Sequence, residues 1–262
     1  RLNARPDVVY AEPNAIYEAF DAPDDTYYGR QWAHTRIHSA AAWNVGTGSA
    51  DTIIAILDTG VDPGHPDLAA KLVTGYDFVG HDADPRDLHG HGTHVAGIAA
   101  AMTNNSQGVA GMNWHARIMP VRVLNENGGG TTAQIVDGIT WATAHGAHIL
   151  NLSLGGPTYS QAMQDAISAA HAAGRLVVAA MGNDAHVGNP TKYPAAMAHV
   201  VAVAATDNSD SYAYYSQYGA HCDLAAPGGE MESYSDPGGI YSTMPTYATT
   251  LSNMGYSRNY TY

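Results

Sequence analysis

Apolar runs rich in β-branched residues alternate along this chain with segments whose apolar positions recur at helical spacing. The first run, at 52–57, fits a strand that is buried on both faces, and similar runs lie at 117–124, 148–154, 175–180 and 199–205. Helices are indicated by Ile135, Ile139 and Ala142, by Met163, Ala166, Ile167 and Ala170, and by a segment from Thr93 to Met102. This alternation predicts an α/β fold with a doubly wound, mostly parallel β-sheet and helices on both faces.

Polar residues follow three of these predicted strands. Asp58 ends the first run, Ser153 lies at the end of the run at 148–154, and Asn183 follows the run at 175–180. In open parallel sheets the functional crevice lies outside the carboxyl ends of the strands. We therefore expect these three residues to converge at one edge of the sheet.

Composition and charge narrow the function classes. The 262 residues carry 11 basic and 24 acidic side chains, a formal charge of −13 that repels nucleic acid and anionic membranes and leaves carboxylates available for cations. The single cysteine, Cys222, excludes an internal disulfide. Because it lies in an apolar, strand-like run, we expect it to be a small buried residue and not a nucleophile.

Two motifs carry the chemistry of nucleophilic catalysis. Asp58 opens an Asp-Thr-Gly sequence, and His91 opens a His-Gly-Thr-His sequence. A serine nucleophile needs an imidazole base, and that base needs a carboxylate to orient it. Each motif also has a simpler interpretation, because Asp favours turns and a Gly-Asn pair such as the one at Asn183 is typical of loops.

Four motifs in sequence order resemble the subtilisin-like serine proteases (peptidase family S8), in particular the thermitase-like branch. They begin at Asp58, His91, Ser153 and Ala180, and the resemblance extends from about residue 24 to residue 262. It implies a serine endopeptidase in which Asp58 orients His91, His91 is the general base, and the Asn183 amide stabilises the oxyanion.

The resemblance also implies where a substrate polypeptide binds. An extended peptide would pair with two backbone edges, and its side chains would enter pockets between them. The segment at 128–130 would otherwise be a flexible glycine turn. We expect an uncharged, large apolar or aromatic side chain before the scissile bond. The implied substrate-binding residues are Gly128, Gly129, Gly130, Ser153, Leu154, Gly155, Ala180, Met181 and Gly182, with the stretch near Gly188 as a further candidate.

A structural calcium site is implied by the same resemblance. Calcium prefers six to eight hard oxygen ligands in a flexible cage. The implied ligands are the side chains of Asp25, Asp67 and Asn105 with main-chain oxygens of the loop at 102–109, namely those of Met102, Gln107 and Val109. A second, weaker calcium ion could bind at Asp77, Asp82 and Asp84, although a solvated acidic loop explains this cluster equally well.

The catalytic serine of the family has no match in the sequence. Neither Ser252 nor Ser257 lies in the matching motif, so we expect the catalytic domain, 22–262, to lack its C-terminal part and the chain to be inactive alone. Residues 1–21 resemble the tail of an inhibitory propeptide. The resemblance further implies a secreted zymogen that is monomeric and acts on polypeptides.

Two other functions remain open from the residues alone. One is a non-catalytic peptide-binding pseudoprotease that has lost its serine. The other is a zinc metallohydrolase, because His89, His91 and His94 have a spacing that could ligate zinc.

Overall fold

The computed structural model describes residues 5–10 and 22–262. Most of the predicted propeptide tail, and its boundary at residue 21, lie outside the described residues, so that domain division stays a prediction.

Within the described part, nine strands are formed: β1 Ile53–Asp58, β2 Tyr76–Asp77, β3 Arg117–Arg122, β4 Ile149–Leu152, β5 Leu176–Ala180, β6 Val200–Thr206, β7 Leu224–Pro227, β8 Ser242–Thr243 and β9 Tyr260–Thr261. The α-helices there are α1 Trp32–Arg36, α2 Ser39–Trp43, α3 His91–Ala100, α4 Thr132–Ala144, α5 Gln161–Ala172 and α6 Thr250–Met254.

Seven of the strands form one parallel sheet in the order β2-β3-β1-β4-β5-β6-β7. β1 lies inside the sheet and pairs with β3 on one side and β4 on the other, with Ile54 opposite Ile118 and Ile149. β8 and β9 form a separate antiparallel pair. The predicted α/β fold with a mostly parallel sheet is confirmed.

The side chains of β1 divide the core into two layers because successive residues of a strand point to opposite faces. Ala55 and Leu57 belong to the cluster that includes buried residues of α4 and α5, whereas Ile54 and Ile56 belong to the cluster with α3. The helices therefore cover both faces of the sheet. This explains why β1 is apolar without alternation.

Helix boundaries follow local capping chemistry. Thr131 caps α4 in a capping box with Gln134, and the Ser160 side chain accepts a hydrogen bond from the Met163 amide in the first turn of α5. α3 begins at His91, two residues earlier than the predicted start at Thr93, because Gly90 takes a left-handed backbone conformation (φ 117°) that turns the chain into the helix. His91 is thereby the first helical residue.

The sequence did not reveal the two-residue strands, since such short segments carry no usable alternation, whereas the strand-like run at Cys222 leads into β7 at the sheet edge. The expected burial of Cys222 is wrong: the residue is exposed. It precedes β7, whose first residues Leu224 and Ala225 are also exposed at the edge of the sheet. No helix in the described ranges is long and apolar enough to cross a membrane.

Candidate active site

Asp58 and His91 meet at the carboxyl end of β1. Asp58 is the last residue of the strand and is fully buried. The Nδ1 atom of His91 lies 2.7 Å from Asp58 Oδ1. Since a carboxylate accepts hydrogen bonds, Nδ1 is the donor, and the tautomer that leaves Nε2 unprotonated is favoured in neutral His91. The arrangement can accept a proton at Nε2 and stabilise the resulting imidazolium.

The charge of Asp58 dominates the electrostatics of His91. It raises the pKa of His91 from its usual 6.5 to about 9, against the opposing effect of burial. The His91 side chain is nevertheless 42% exposed, so solvent screens part of this attraction. The pair thus combines a fixed, buried acid with an imidazole that solvent or a substrate can reach.

The neighbouring histidines have different surroundings. Burial lowers the pKa of His94 to about 4, and its Nε2 atom donates to the Ile240 carbonyl oxygen at 3.1 Å. Burial also lowers the pKa of His89, whose ring lies edge-on to His91 with 6.4 Å between centroids. In the described residues no three His, Cys, Asp or Glu side chains are grouped so that they could hold a metal ion, and the zinc hypothesis is not supported.

Asp87 is a buried carboxylate of the site that sequence reasoning missed. It accepts five hydrogen bonds, from the main chain of His89, Gly90 and Thr93 and from the hydroxyls of Thr59 and Thr93. The bond from Thr93 satisfies one of the first free amides of α3, and the bonds from His89 and Gly90 fix the turn that leads into the helix. The available signal was an Asp four residues before His91, a residue type that favours helix starts.

Glycines bring α3 against the turn that follows β1. A Cβ atom on Gly92 would lie 2.2 Å from the Gly60 carbonyl oxygen, and Gly60 itself has φ 104°. The Gly92 amide donates to the Thr59 hydroxyl at 2.9 Å, and that hydroxyl donates to Asp87. The glycines of both catalytic motifs are therefore required for the distance between Asp58 and His91.

A cleft of about 610 Å³ begins beside His91 and contains most of the predicted substrate walls. Its lining includes Gly128, Gly129 and Gly130 on one side and Ser153, Leu154 and Gly155 on the other. Gly130 is held close to β3, because a Cβ atom there would lie 2.2 Å from the Val123 carbonyl oxygen. The two predicted backbone edges thus face a common cleft.

A smaller cavity of about 220 Å³ adjoins these walls. Ser153, Leu154 and Gly155 line it together with Ala180, Gly182 and Asn183, as the sequence predicted. Met181 is buried in the core instead, and neither it nor Gly188 is among the lining residues. Two charged residues that the sequence did not place here, Asp184 and Lys192, complete the lining.

A third cavity, of about 340 Å³, lies between His91 and Asn183. Asn183 is exposed and lines both this cavity and the smaller one. Tyr256 and Thr261 near the end of the chain line its other side, and no serine among the described residues contributes to the lining. Ser153 and Asn183 therefore line neighbouring cavities at one edge of the sheet, whereas Asp58 is buried and contacts His91.

The residues implied for calcium also come together. The Asn104 amide donates to Asp25 Oδ2, while the Asn105 side chain and the Val109 amide donate to the two oxygens of Asp67. The loop is fixed further by the Met102 amide, which donates to the Asp67 carbonyl oxygen, and by the Gln107 amide, which donates to Asn105 Oδ1.

The two carboxylates need a positive charge. Asp25 is 5% exposed and Asp67 0%, and burial raises the pKa of both. Asp25 Oδ1 is buried without a hydrogen-bond partner, and no lysine or arginine of the described chain pairs with either carboxylate. Buried charges are stable only when they are paired or bind a metal, so these residues fit a calcium ion.

The second acidic cluster is arranged differently. Arg122 donates to Asp77 Oδ2 at 2.7 Å, and both groups are buried. Asp84 pairs with Arg86 at 2.8 Å, and Asp82 accepts the Asp84 amide. Because Asp77 and Asp84 already have cationic partners, the structure adds no support for the second calcium site.

The sequence and the structure were compared with known proteins. Residues 49–260 match the family model described as peptidase S8, the subtilase family. The chain is 47% identical over 234 residues to a thermophilic serine proteinase of Bacillus sp. (strain AK1), covering 88% of this chain and 58% of that protein. It is 46% identical to thermitase of Thermoactinomyces vulgaris, covering 86% of this chain and 76% of thermitase. A solved protease structure from Pseudoalteromonas arctica PAMC 21717 superposes with a TM-score of 0.82 at 35% identity, covering 92% of this chain and 81% of that chain.

Proposed function

The chain belongs to the subtilase family of serine peptidases, and on this premise we propose that it forms the acid–base half of a serine endopeptidase site. The observation that carries the proposal is the 2.7 Å contact between His91 and buried Asp58 beside a cavity that extends to Asn183. A serine hydroxyl in that cavity would have its base on one side and its oxyanion donor on the other.

The roles of the residues follow from this geometry. The serine hydroxyl proton passes to His91 Nε2 as the oxygen bonds to the peptide carbonyl carbon, and His91 then gives the proton to the leaving amine. Asp58 holds the ring and stabilises its charged form. The Asn183 amide donates to the developing oxyanion, a contribution that in subtilisin is about 10²- to 10³-fold in turnover. A water molecule releases the acyl group by the same proton transfers.

The substrate is a polypeptide in extended conformation. The backbone edges at 128–130 and 153–155 face one cleft, so a peptide between them would be bound through its main chain and would add a strand. Binding of this kind tolerates many sequences, with side-chain preference set by the adjoining cavity.

We further propose that the described residues do not supply the nucleophile, since no serine among them lines the cavity between His91 and Asn183. The chain alone is then inactive. It would retain peptide binding, as the pseudoprotease hypothesis also requires, and the two functions differ only in whether a serine is supplied.

Calcium is proposed as a structural cofactor. Asp25, Asp67 and Asn105 would hold it with the main-chain oxygens of Met102, Gln107 and Val109, where it would neutralise two buried carboxylates. It would join the segment at residue 25 to the loop after α3.

Secretion is proposed as well, in line with the relative from Natrialba magadii that is named an extracellular serine protease. Synthesis as a zymogen and a monomeric state are proposals on the family resemblance alone.

Labelling with a fluorophosphonate probe tests the proposed nucleophile. We expect no labelling of residues 1–262, and labelling of a longer product of the same gene that disappears in a His91→Ala variant. A longer product that folds, binds peptide and stays unlabelled would contradict the peptidase proposal and favour the binding protein. Labelling of the 262-residue chain itself would contradict its proposed inactivity.

A further inference from the structure

Lys192 lines the 220 Å³ cavity that adjoins the predicted substrate walls. Its stem packs against both walls, because a Cβ atom on Gly155 would lie 3.5 Å from Lys192 Cβ and one on Gly182 would lie 3.1 Å from Lys192 Cγ. The next residue, Tyr193, exchanges two backbone hydrogen bonds of 2.9 Å with Gly156. Lys192 is therefore held in place by packing and by the backbone.

Asp184 is the partner of Lys192. Their side chains meet at 2.6 Å between Nζ and Oδ2, and they are the two charged residues of this cavity lining. The side chain of Lys192 is 18% exposed, whereas that of Asp184 is 39% exposed. The pair thus consists of a packed cation inside the cavity and a more accessible anion at its side.

Because Lys192 is more buried than Asp184, the cavity should bind an incoming anion more readily than an incoming cation. An incoming carboxylate can replace Asp184 on Lys192 Nζ, and Asp184 then returns to water at small cost because ion pairs with an exposed partner contribute little. An incoming cation would have to take Asp184 away from Lys192 and leave the more buried charge unpaired, which is the costly arrangement. The net charge of −13 opposes anions only weakly at this range, since it is screened over about 8 Å in physiological salt.

We propose that Lys192 determines specificity at this site by favouring substrates with an acidic side chain before the scissile bond, with Asp184 as the group that is displaced. The inference rests on the proposed function, because it takes the walls at 153–155 and 180–183 to be those of the cavity that receives this side chain. It replaces the expectation of an uncharged apolar side chain, which was based on the wall residues without the two charged ones.

Peptide binding by the 262-residue chain tests the inference without any need for turnover. Fluorescein-labelled peptides Ala-Ala-Pro-Xaa-amide, with glutamate, glutamine or lysine as Xaa, are titrated by fluorescence anisotropy in 0.15 M salt with 1 mM calcium. We expect the glutamate peptide to bind about fivefold more tightly than the glutamine peptide, and the lysine peptide most weakly. In about 1 M salt the preference should shrink.

Three variants assign the effect. Lys192→Met should remove the preference for glutamate, and Asp184→Asn should increase it, because the cation is then unpaired. Arg36→Gln is the matched control: it breaks a surface pair with Asp210 at 3.5 Å and changes the net charge as Lys192→Met does, so it should leave all three affinities unchanged. If Lys192→Met fails to fold, the rise in Asp184→Asn decides the matter.

The outcomes separate this inference from the proposed function. Equal affinities for the three peptides, unchanged in Asp184→Asn, would overturn the role of Lys192 while leaving the peptide-binding cleft intact. Failure of every peptide to bind would overturn the proposed cleft, and the inference with it.

Discussion

Replacement of Asp58 by asparagine removes the charge that sets the pKa of His91. The buried carboxylate is the main cause of the increase from 6.5 to about 9, and it also accepts the Nδ1 hydrogen bond. Asparagine has nearly the same shape but no charge. We expect the pKa of His91 in Asp58→Asn to fall below 6.5, because burial then outweighs the smaller remaining attraction of Asp87.

The size of the effect on stability follows from this pKa. A change from 6.5 to about 9 corresponds at full strength to ~3.4 kcal/mol. Since the His91 side chain is 42% exposed, screening reduces the expected contribution to ~1–2 kcal/mol. A raised pKa stabilises the folded protein fully below pH 6.5, and this contribution is lost as the pH rises through 9. Asp58→Asn should therefore cost ~1–2 kcal/mol more at pH 6 than at pH 10.

Two measurements test this prediction. The Cε1 proton of His91, identified in NMR spectra by its absence from His91→Gln, reports its pKa directly, and urea denaturation at pH 6 and pH 10 reports the free energy of unfolding. Asp137→Asn, an exposed site on α4 with the same change of charge, is the control. If His91 of the unsubstituted protein titrates at or below 6.5, or if the cost of Asp58→Asn is the same at both pH values, the electrostatic reasoning is refuted.

Three further changes have expected outcomes. Asp87→Ala removes the acceptor of five hydrogen bonds, four of them buried, and should lower the free energy of unfolding by ~2–4 kcal/mol in urea denaturation. A loss below ~1 kcal/mol would contradict its positioning role. Removal of calcium by EDTA should lower the melting temperature by about 5–10 °C in differential scanning calorimetry. Asp67→Asn should abolish the difference in melting temperature between calcium and EDTA. Equal melting temperatures of the unsubstituted chain in calcium and in EDTA would exclude the calcium proposal. Ile139→Ala, at a fully buried position of α4, should lower the free energy of unfolding by ~2–5 kcal/mol in urea denaturation. A loss below ~1 kcal/mol would show that the layer between α4 and the sheet is loosely packed.

The sequence predicted long, regular elements and missed features that depend on distant contacts. β1 was evident because it is a continuous apolar run of strand length, and α4 because its apolar positions recur at helical spacing within one segment. Lys192 was invisible as a cavity residue, because its place beside Gly155 and Gly182 depends on the pairing of Tyr193 with Gly156, 37 positions away in the chain.

Motifs predicted that Asp58 and His91 lie together better than they predicted what surrounds the pair. Asp58 and His91 were found from local sequence and lie in contact. Asp87, which holds the start of α3, was overlooked because an aspartate before a helix is common and its five donors become apparent only after folding. Cys222 was misjudged for the converse reason, since an apolar neighbourhood in sequence does not guarantee cover at a sheet edge.

The central position of β1 has a consequence for how this site can change. The strand pairs on both edges and packs on both faces, and Asp58 is its final residue. The carboxylate cannot shift without disturbing both core layers, whereas the residues around the side-chain cavity lie on loops that follow β4 and β5. Substitutions at the cavity should therefore alter side-chain preference easily, whereas the position of Asp58 should change very little. Relatives can then differ in substrate specificity while keeping the same arrangement of Asp58 and His91.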